Sequence, residues 1–107
     1  MAIKRFEIYW VNLDPTIGVE IQKTRPAVVV SPDEMNDALG TVLVASITSR
    51  KRNFPTRIAF DSEGVENYLA LDQIRAVDKS RLSGRKSVLS GETAQAVCDK
   101  LQEMFAY

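Results

Sequence analysis

The sequence predicts a mainly β domain with helices, a compact β-barrel or strongly bent sheet carrying helical appendages. Three observations point there. Apolar, β-branched runs of strand length recur along the chain and are separated by turn chemistry. One of them, Ala27-Val28-Val29-Val30, is apolar throughout, as a strand buried on both faces would be. Only two segments carry helical signals, a short one after Ser31 and a longer one near the C-terminal end.

The elements follow in order. Glu7-Ile8-Tyr9-Trp10-Val11-Asn12-Leu13 is β-branched and aromatic and reads as a strand. Asp14-Pro15-Thr16-Ile17-Gly18 stops it with turn residues. The loop that continues to Thr24 is longer than most connections, which suggests a functional role. After the apolar strand at 27–30, Ser31-Pro32-Asp33-Glu34 has the form of a helix start. Ser31 would cap, Pro32 would take the first helical position, and Glu34 would complete a capping box. Gly40 is expected to end that short helix. Residues 41–47 form the next strand, and a loop through Asn53 and Pro55 leads to its hairpin partner, Arg57-Ile58-Ala59-Phe60. Ser62-Glu63-Gly64 is a turn. Tyr68-Leu69-Ala70-Leu71 and Ile74-Arg75-Ala76-Val77 read as two strands or one bent strand, and Ser87-Val88-Leu89 as a last short one. Ser90 then caps a helix with Glu92 in its first turn, favourable to the helix dipole. Its apolar face is Ala94, Val97, Cys98, Leu101, Met104 and Phe105.

At 107 residues the chain has room for one core, so residues 1–107 are expected to form a single domain. No apolar stretch approaches the roughly 18–20 residues that span a bilayer. The start, Met1-Ala2-Ile3-Lys4-Arg5-Phe6, lacks the long apolar core of a signal peptide, so a cytoplasmic protein with no membrane contact is expected. The single Cys98, on an apolar helical position, can form neither an internal disulfide nor a metal site alone. The absence of histidine removes the commonest metal ligand and the commonest proton shuttle, so neither metal nor cofactor is expected.

The formal net charge of zero argues against a protein that coats nucleic acid indiscriminately. The charges are nonetheless clustered. Between residues 38 and 60 stand Arg50, Lys51, Arg52 and Arg57 with no anion among them. Lys79, Arg81, Arg85 and Lys86 form a second cluster, with Asp61, Glu63 and Glu66 between the two. Such clusters are either a solvated surface or a polyanion site. Two places stand out for the second reading, against the alternatives of a surface Arg flanking a strand and a plain β-branched strand residue. Arg25 joins the charged, glycine-started segment Gly18-Val19-Glu20-Ile21-Gln22-Lys23-Thr24 to a stiff strand, which fixes a guanidinium suited to phosphate. Ile47-Thr48-Ser49 ends another apolar run just before the basic loop.

Ile8-Tyr9-Trp10-Val11-Asn12-Leu13-Asp14-Pro15-Thr16, Gly18-x-Glu20 and Thr24-Arg25-Pro26-Ala27-Val28-Val29-Val30-Ser31 together resemble the MazF/PemK family of bacterial toxin endoribonucleases. The likeness continues through Ala45-Ser46-Ile47-Thr48-Ser49 and from Asp72-Gln73-Ile74-Arg75 to Arg81-Leu82. It runs in order over nearly the whole chain, and the combination is more specific than any one motif. The resemblance implies an SH3-like β-barrel of the CcdB/PemK kind, a homodimer, and RNA running along the subunit interface. It implies the toxin of a type II toxin–antitoxin system, which cuts single-stranded messenger RNA at a short sequence without a metal and so halts translation. It also implies inhibition by a cognate antitoxin, through which the complex would reach operator DNA. The family's usual catalytic pair, the Arg of Thr-Arg-Pro and the Thr of Ile-Thr-Ser, falls on Arg25 and Thr48.

The chain departs from the family pattern in places. Phe6-Glu7 stands where the first strand often opens Gly-Asp. The PemK/Kid branch has Arg-x-Asp where this chain has Ala70-Leu71-Asp72, and a first-loop His for which there is no counterpart. Asp72 is therefore a secondary candidate.

Metal-free cleavage by an adjacent 2′-hydroxyl requires a proton acceptor, a proton donor and stabilisation of phosphorane charge. Arg25 fits the third need, since its planar fork binds two phosphate oxygens and it stays protonated. Thr48 can donate a hydrogen bond to a non-bridging oxygen. Glu20 either accepts the 2′-hydroxyl proton or orients Arg25, or else is a solvent-exposed loop residue. Lys23, Ser49, Arg50, Arg52, Asn53, Phe54 and Gln73 are the expected RNA contacts, with cations for backbone phosphates. Phe54 either stacks an unpaired base or packs into the barrel. An antitoxin blocking such a site would be acidic and would fold on binding. Two other readings compete. CcdB-type toxins share the fold and bind DNA gyrase without cutting RNA, but depend on a Trp-Gly-Ile C-terminus, whereas this chain reads Met104-Phe105-Ala106-Tyr107. The third is a catalytically silent interaction barrel.

Overall fold

The computed structural model describes residues 2–21 and 23–107. Gln22, within the loop read above as part of the site, lies outside the described residues. The strands are β1 (Glu7–Asn12), β2 (Thr24–Val29), β3 (Thr41–Thr48), β4 (Arg57–Ser62), β5 (Val65–Ala70), β6 (Arg75–Asp78) and β7 (Leu82–Val88). The helices are α1 (Asp33–Ala38) and α2 (Gly91–Phe105), with single 3₁₀ turns at Leu71–Gln73 and Lys79–Arg81. All pairings are antiparallel, in the order β4-β5-β3-β2-β1-β7. β3 is the hub. Its far edge is shared by β6, at Thr41 to Val44, and β5, at Ile47 and Thr48.

The sheet curls because β2 and β3 are buried on both faces. Ala27 and Val29 join Tyr9, Val11, Val42, Val44 and Val77 in one apolar core. Val28 and Val30 join Ile8, Ala45, Ile47, Leu69 and α2's Ala94 and Val97 in the other. Each fully buried aliphatic side chain contributes about 1.5–3 kcal/mol of transfer free energy, so this double burial dominates the stability. β7 is longer than the sequence suggests. Its Ser83, Gly84, Arg85 and Lys86 are exposed, and an edge strand with so little apolar content shows no alternation to read. Residues 68–77 resolve into two strands separated by the first 3₁₀ turn. Glu63 and Gly64 both have positive φ, 54° and 79°, giving the tight turn that pairs Ser62 with Val65.

Three local expectations need correction. Ser31 does not cap α1. It is buried, its Oγ donates to Asn36 Oδ1, and it accepts from the Leu43 backbone N–H at 3.1 Å. Asn36 donates in turn to the carbonyls of Ser31 and Ile3. The helix is latched to β3 through its buried Asn, and N-cap Pro32 supplies no side-chain bond. Gly40 is not the stop, since α1 ends at Ala38 with Leu39 already extended. Phe105 lies at the last turn of α2 and is exposed, outside the apolar face that Ala94 and Val97 anchor. Ser90 does cap α2, accepting from the Thr93 N–H at 3.2 Å. Among the described residues, no helix is long and apolar enough to cross a membrane.

Candidate nucleic-acid interface

The β2–β3 ladder runs from Val29↔Val44 to Ala27↔Ser46. The next residue of β2 toward the open end is Pro26, which has no N–H to extend it. Continuing the register by two residues sets Arg25 across from Thr48 on the face shared by Ala27, Val29, Ser46 and Val44. Arg25 is half-buried. Thr48 is 9% exposed, and its Oγ1 accepts from the Arg50 N–H at 3.1 Å. On its other side Thr48 pairs with Tyr68 of β5, whose own neighbour in β4 is Ala59. Three chemically capable side chains, Arg25, Thr48 and Tyr68, thus lie in one cross-strand row.

The β1–β2 loop borders this row and is pinned at its base. Leu13 N–H donates to the Lys23 carbonyl at 3.0 Å, and Lys23 N–H to Asp14 Oδ1 at 2.8 Å. Arg75 donates to the Leu13 carbonyl at 2.9 Å, and Arg81 to the carbonyls of Asn12 and Asp14. Lys23 is held at φ 71°, in the left-handed region that lysine seldom adopts, which these bonds over-determine. Farther along, Ile21 N–H donates to Gln73 Oε1 at 2.8 Å. The tip is bare, with Val19 97% exposed. Between this loop, Ser46 and residues 72–75 is a pocket of about 360 Å³, to which Glu20 and Gln73 contribute.

The expected residues therefore divide into groups. Glu20 and Gln73 line the pocket, on the side of the sheet where Ser46 lies. Gln73 also tethers the loop. Glu20 Oε1 accepts from the Ile17 N–H at 2.6 Å, closing its own turn. Lys23 stays exposed at the loop base. Ser49, Arg50, Arg52, Asn53 and Phe54 form an exposed segment leaving β3. Phe54 does not pack into the barrel. It is 51% exposed, and the Arg57 guanidinium lies 5.3 Å from its ring centroid.

Arg57 and Asp72 form a pair that the sequence alone leaves unmatched. Ala70 has no charge to offer Asp72, and Arg57 of β4 is the cross-strand partner of Ala70. Arg57 grips Asp72 with two bonds, Nε to Oδ1 at 2.8 Å and Nη2 to Oδ2 at 3.1 Å. Thr56 Oγ1 adds a third at 3.0 Å. The Arg57 guanidinium, aided by Thr56, holds the Asp72 carboxyl below the usual carboxylate range against a smaller opposing effect of burial. A carboxylate so engaged is a weak proton acceptor. Strand register is what brings residues 57 and 72 together, and no spacing in the sequence signals it. Among the described residues, no group of three His, Cys, Asp or Glu side chains could hold a metal ion.

Comparison with known proteins gives relatives of the same fold. The chain is 34% identical over 108 residues to Endoribonuclease EndoA of Bacillus subtilis, covering 95% of this chain and 93% of that protein. The crystal structure of MazF from Deinococcus radiodurans superposes with a TM-score of 0.86 at 25% identity, covering 100% and 99% of the two chains. A mycobacterial endoribonuclease solved with its cognate antitoxin has the same fold, with a TM-score of 0.81 at 20% identity and coverage of 95% and 93%. Residues 4–105 match the family described as PemK-like, MazF-like toxin of type II toxin-antitoxin system. With the family match spanning nearly every residue and a curled sheet of the same build, the chain belongs to the PemK-like, MazF-like toxins of type II toxin–antitoxin systems.

Proposed function

We propose that this chain is a single-domain, cytoplasmic toxin endoribonuclease that cuts single-stranded RNA at a short sequence without a metal. The observation that carries the reading is the alignment of Arg25 and Thr48 on one face, where the β2–β3 ladder stops. A phosphate seated between them meets a bidentate cation on one side and a hydroxyl donor on the other. Attack by the adjacent 2′-oxygen leaves a 2′,3′-cyclic phosphate and a 5′-hydroxyl. Exposed Arg50 and Arg52 neutralise flanking phosphates, and the open face of Phe54 takes an unpaired base. Ser49, Asn53, Lys23 and Gln73 line the path. Two copies pair so that the RNA crosses both mouths. An acidic antitoxin segment competes for the same cations, and that complex reaches operator DNA through the antitoxin.

The test is incubation of the purified protein with a long single-stranded RNA in EDTA, beside Arg25→Ala. Discrete cuts by the wild type with cyclic phosphate ends, reduced at least about 10²-fold in the variant, are expected. Cleavage that persists in the variant overturns the role of Arg25. Absence of cuts across unrelated RNAs overturns the endoribonuclease reading.

A further inference from the structure

Metal-free cleavage through the 2′-hydroxyl needs a group to take that proton, and the two carboxylates nearest the pocket are engaged elsewhere. Glu20 closes its own loop turn, and Asp72 is bound on both oxygens by Arg57. The cross-strand row offers another route. Tyr68 shares the face of Thr48, and two residues earlier on the same strand and face stands Glu66. Tyr68 Oη donates to Glu66 Oε2 at 2.9 Å. The residue is 8% exposed, and its hydroxyl reaches the exposed Glu66, so the ring is packed while the oxygen lies on the side that faces solvent. A phenol whose proton is committed to a carboxylate keeps its lone pairs for an incoming hydroxyl.

We propose that Tyr68 and Glu66 form the proton-accepting arm of the site, Tyr68 Oη taking the proton of the attacking 2′-hydroxyl while passing its own to Glu66. The inference rests on the endoribonuclease reading above. In the step, the O2′–P bond forms and the P–O5′ bond breaks. One proton moves from O2′ to Tyr68 Oη, a second from Tyr68 Oη to Glu66 Oε2, and the departing 5′-oxygen takes its proton from water. Tyr68 finishes as it began, a neutral phenol, and Glu66 later returns its proton to solvent. The Glu66 hydrogen bond, more than burial, pushes the Tyr68 phenol above its ordinary pKa, so the group stays protonated and acts as a relay. Asp61, the cross-strand partner of Glu66, puts a second carboxylate on the same face outside the relay.

The test compares Tyr68→Phe, Glu66→Gln and Asp61→Asn in steady-state cleavage of one short RNA. A second RNA carries sulfur in place of the leaving 5′-oxygen, a group that departs without a proton. Tyr68→Phe and Glu66→Gln are expected to lose about 10²-fold in kcat with KM unchanged, and to lose the same factor on the sulfur substrate. Asp61→Asn changes charge alone and is expected to stay within about 3-fold of wild type, a shift of ~0.7 kcal/mol. Wild-type kcat in either relay variant, a loss confined to KM, or recovery on the sulfur substrate overturns the proposal. Should Tyr68→Phe fail to fold, the exposed Glu66→Gln decides alone. Wild-type protein that cuts neither RNA defeats the endoribonuclease reading itself, whereas cutting that depends on Arg25 but not on Glu66 defeats only the relay.

Discussion

The two faces of the central strands differ in what they do with the same backbone. Toward α2, strands β2, β3 and β5 present Val28, Ala45, Ile47 and Leu69, closed over by Ala94 and Val97. On the other face the same strands begin apolar, with Val29 and Val44, and end at the mouth in Arg25, Ser46, Thr48 and Tyr68. The first face gains stability from apolar area removed from water. The second gives up part of that gain by burying Ser46 and Thr48, and it retains groups that can bind and react. The lesson is that both faces stabilise the sheet but only one also carries chemistry, so single substitutions should separate the two roles.

The largest expected effect is on the α2 face. Leu69→Ala leaves a cavity where the side chain is fully buried and should lower unfolding free energy by about 2–5 kcal/mol. Thermal melting reads that loss, while cleavage per folded molecule in the cold stays near wild type. A rate loss without a melting shift would break the comparison. Thr48→Ala should do the reverse, cutting the rate by ~10²–10³, or about 2.7–4 kcal/mol of barrier, with melting little changed.

Asp72→Asn tests whether the mouth contributes to stability at all. The Arg57 pair is partly solvent-screened, so about 1 kcal/mol is expected. Its pH dependence has a definite sign. Because folding lowers the Asp72 pKa below 3.8, the contribution is complete above that value and is lost as pH falls through the folded-state pKa. An acid melt in which wild type and Asp72→Asn converge below that point is the expected outcome. Parallel curves throughout would show that the carboxylate charge contributes nothing. Smallest is Ser90→Ala, which removes the α2 cap and should cost about 0.5–1 kcal/mol, read by urea unfolding. A larger loss, or any change in cleavage rate, would mean that α2 also supports the mouth.

Much of the strand framework is legible in the sequence, because it rests on local patterns. The apolar run at 27–30, the β3 run from Thr41 and the capped α2 all carry signals within a few residues of themselves. The polar edge β7 does not, since an exposed strand has no alternation to display. Ser31 shows the limit of motif reading. Its capping signature is present, but a buried Asn36 within reach offers a better-shielded partner.

By itself, the sequence determined a mainly β fold with an amphipathic helix after the last strand, and it singled out Arg25 and Thr48, each at the border of an apolar run and charged chain. Only the tertiary structure decided that these two lie on one face beyond the end of the β2–β3 ladder, that Arg57 rather than residue 70 holds Asp72, and that Tyr68 pairs with Thr48 on its other side. The reason is physical. Burial and turn preference act between near neighbours in the chain, whereas a cross-strand pair is fixed by register, which the packing of the whole curled sheet sets.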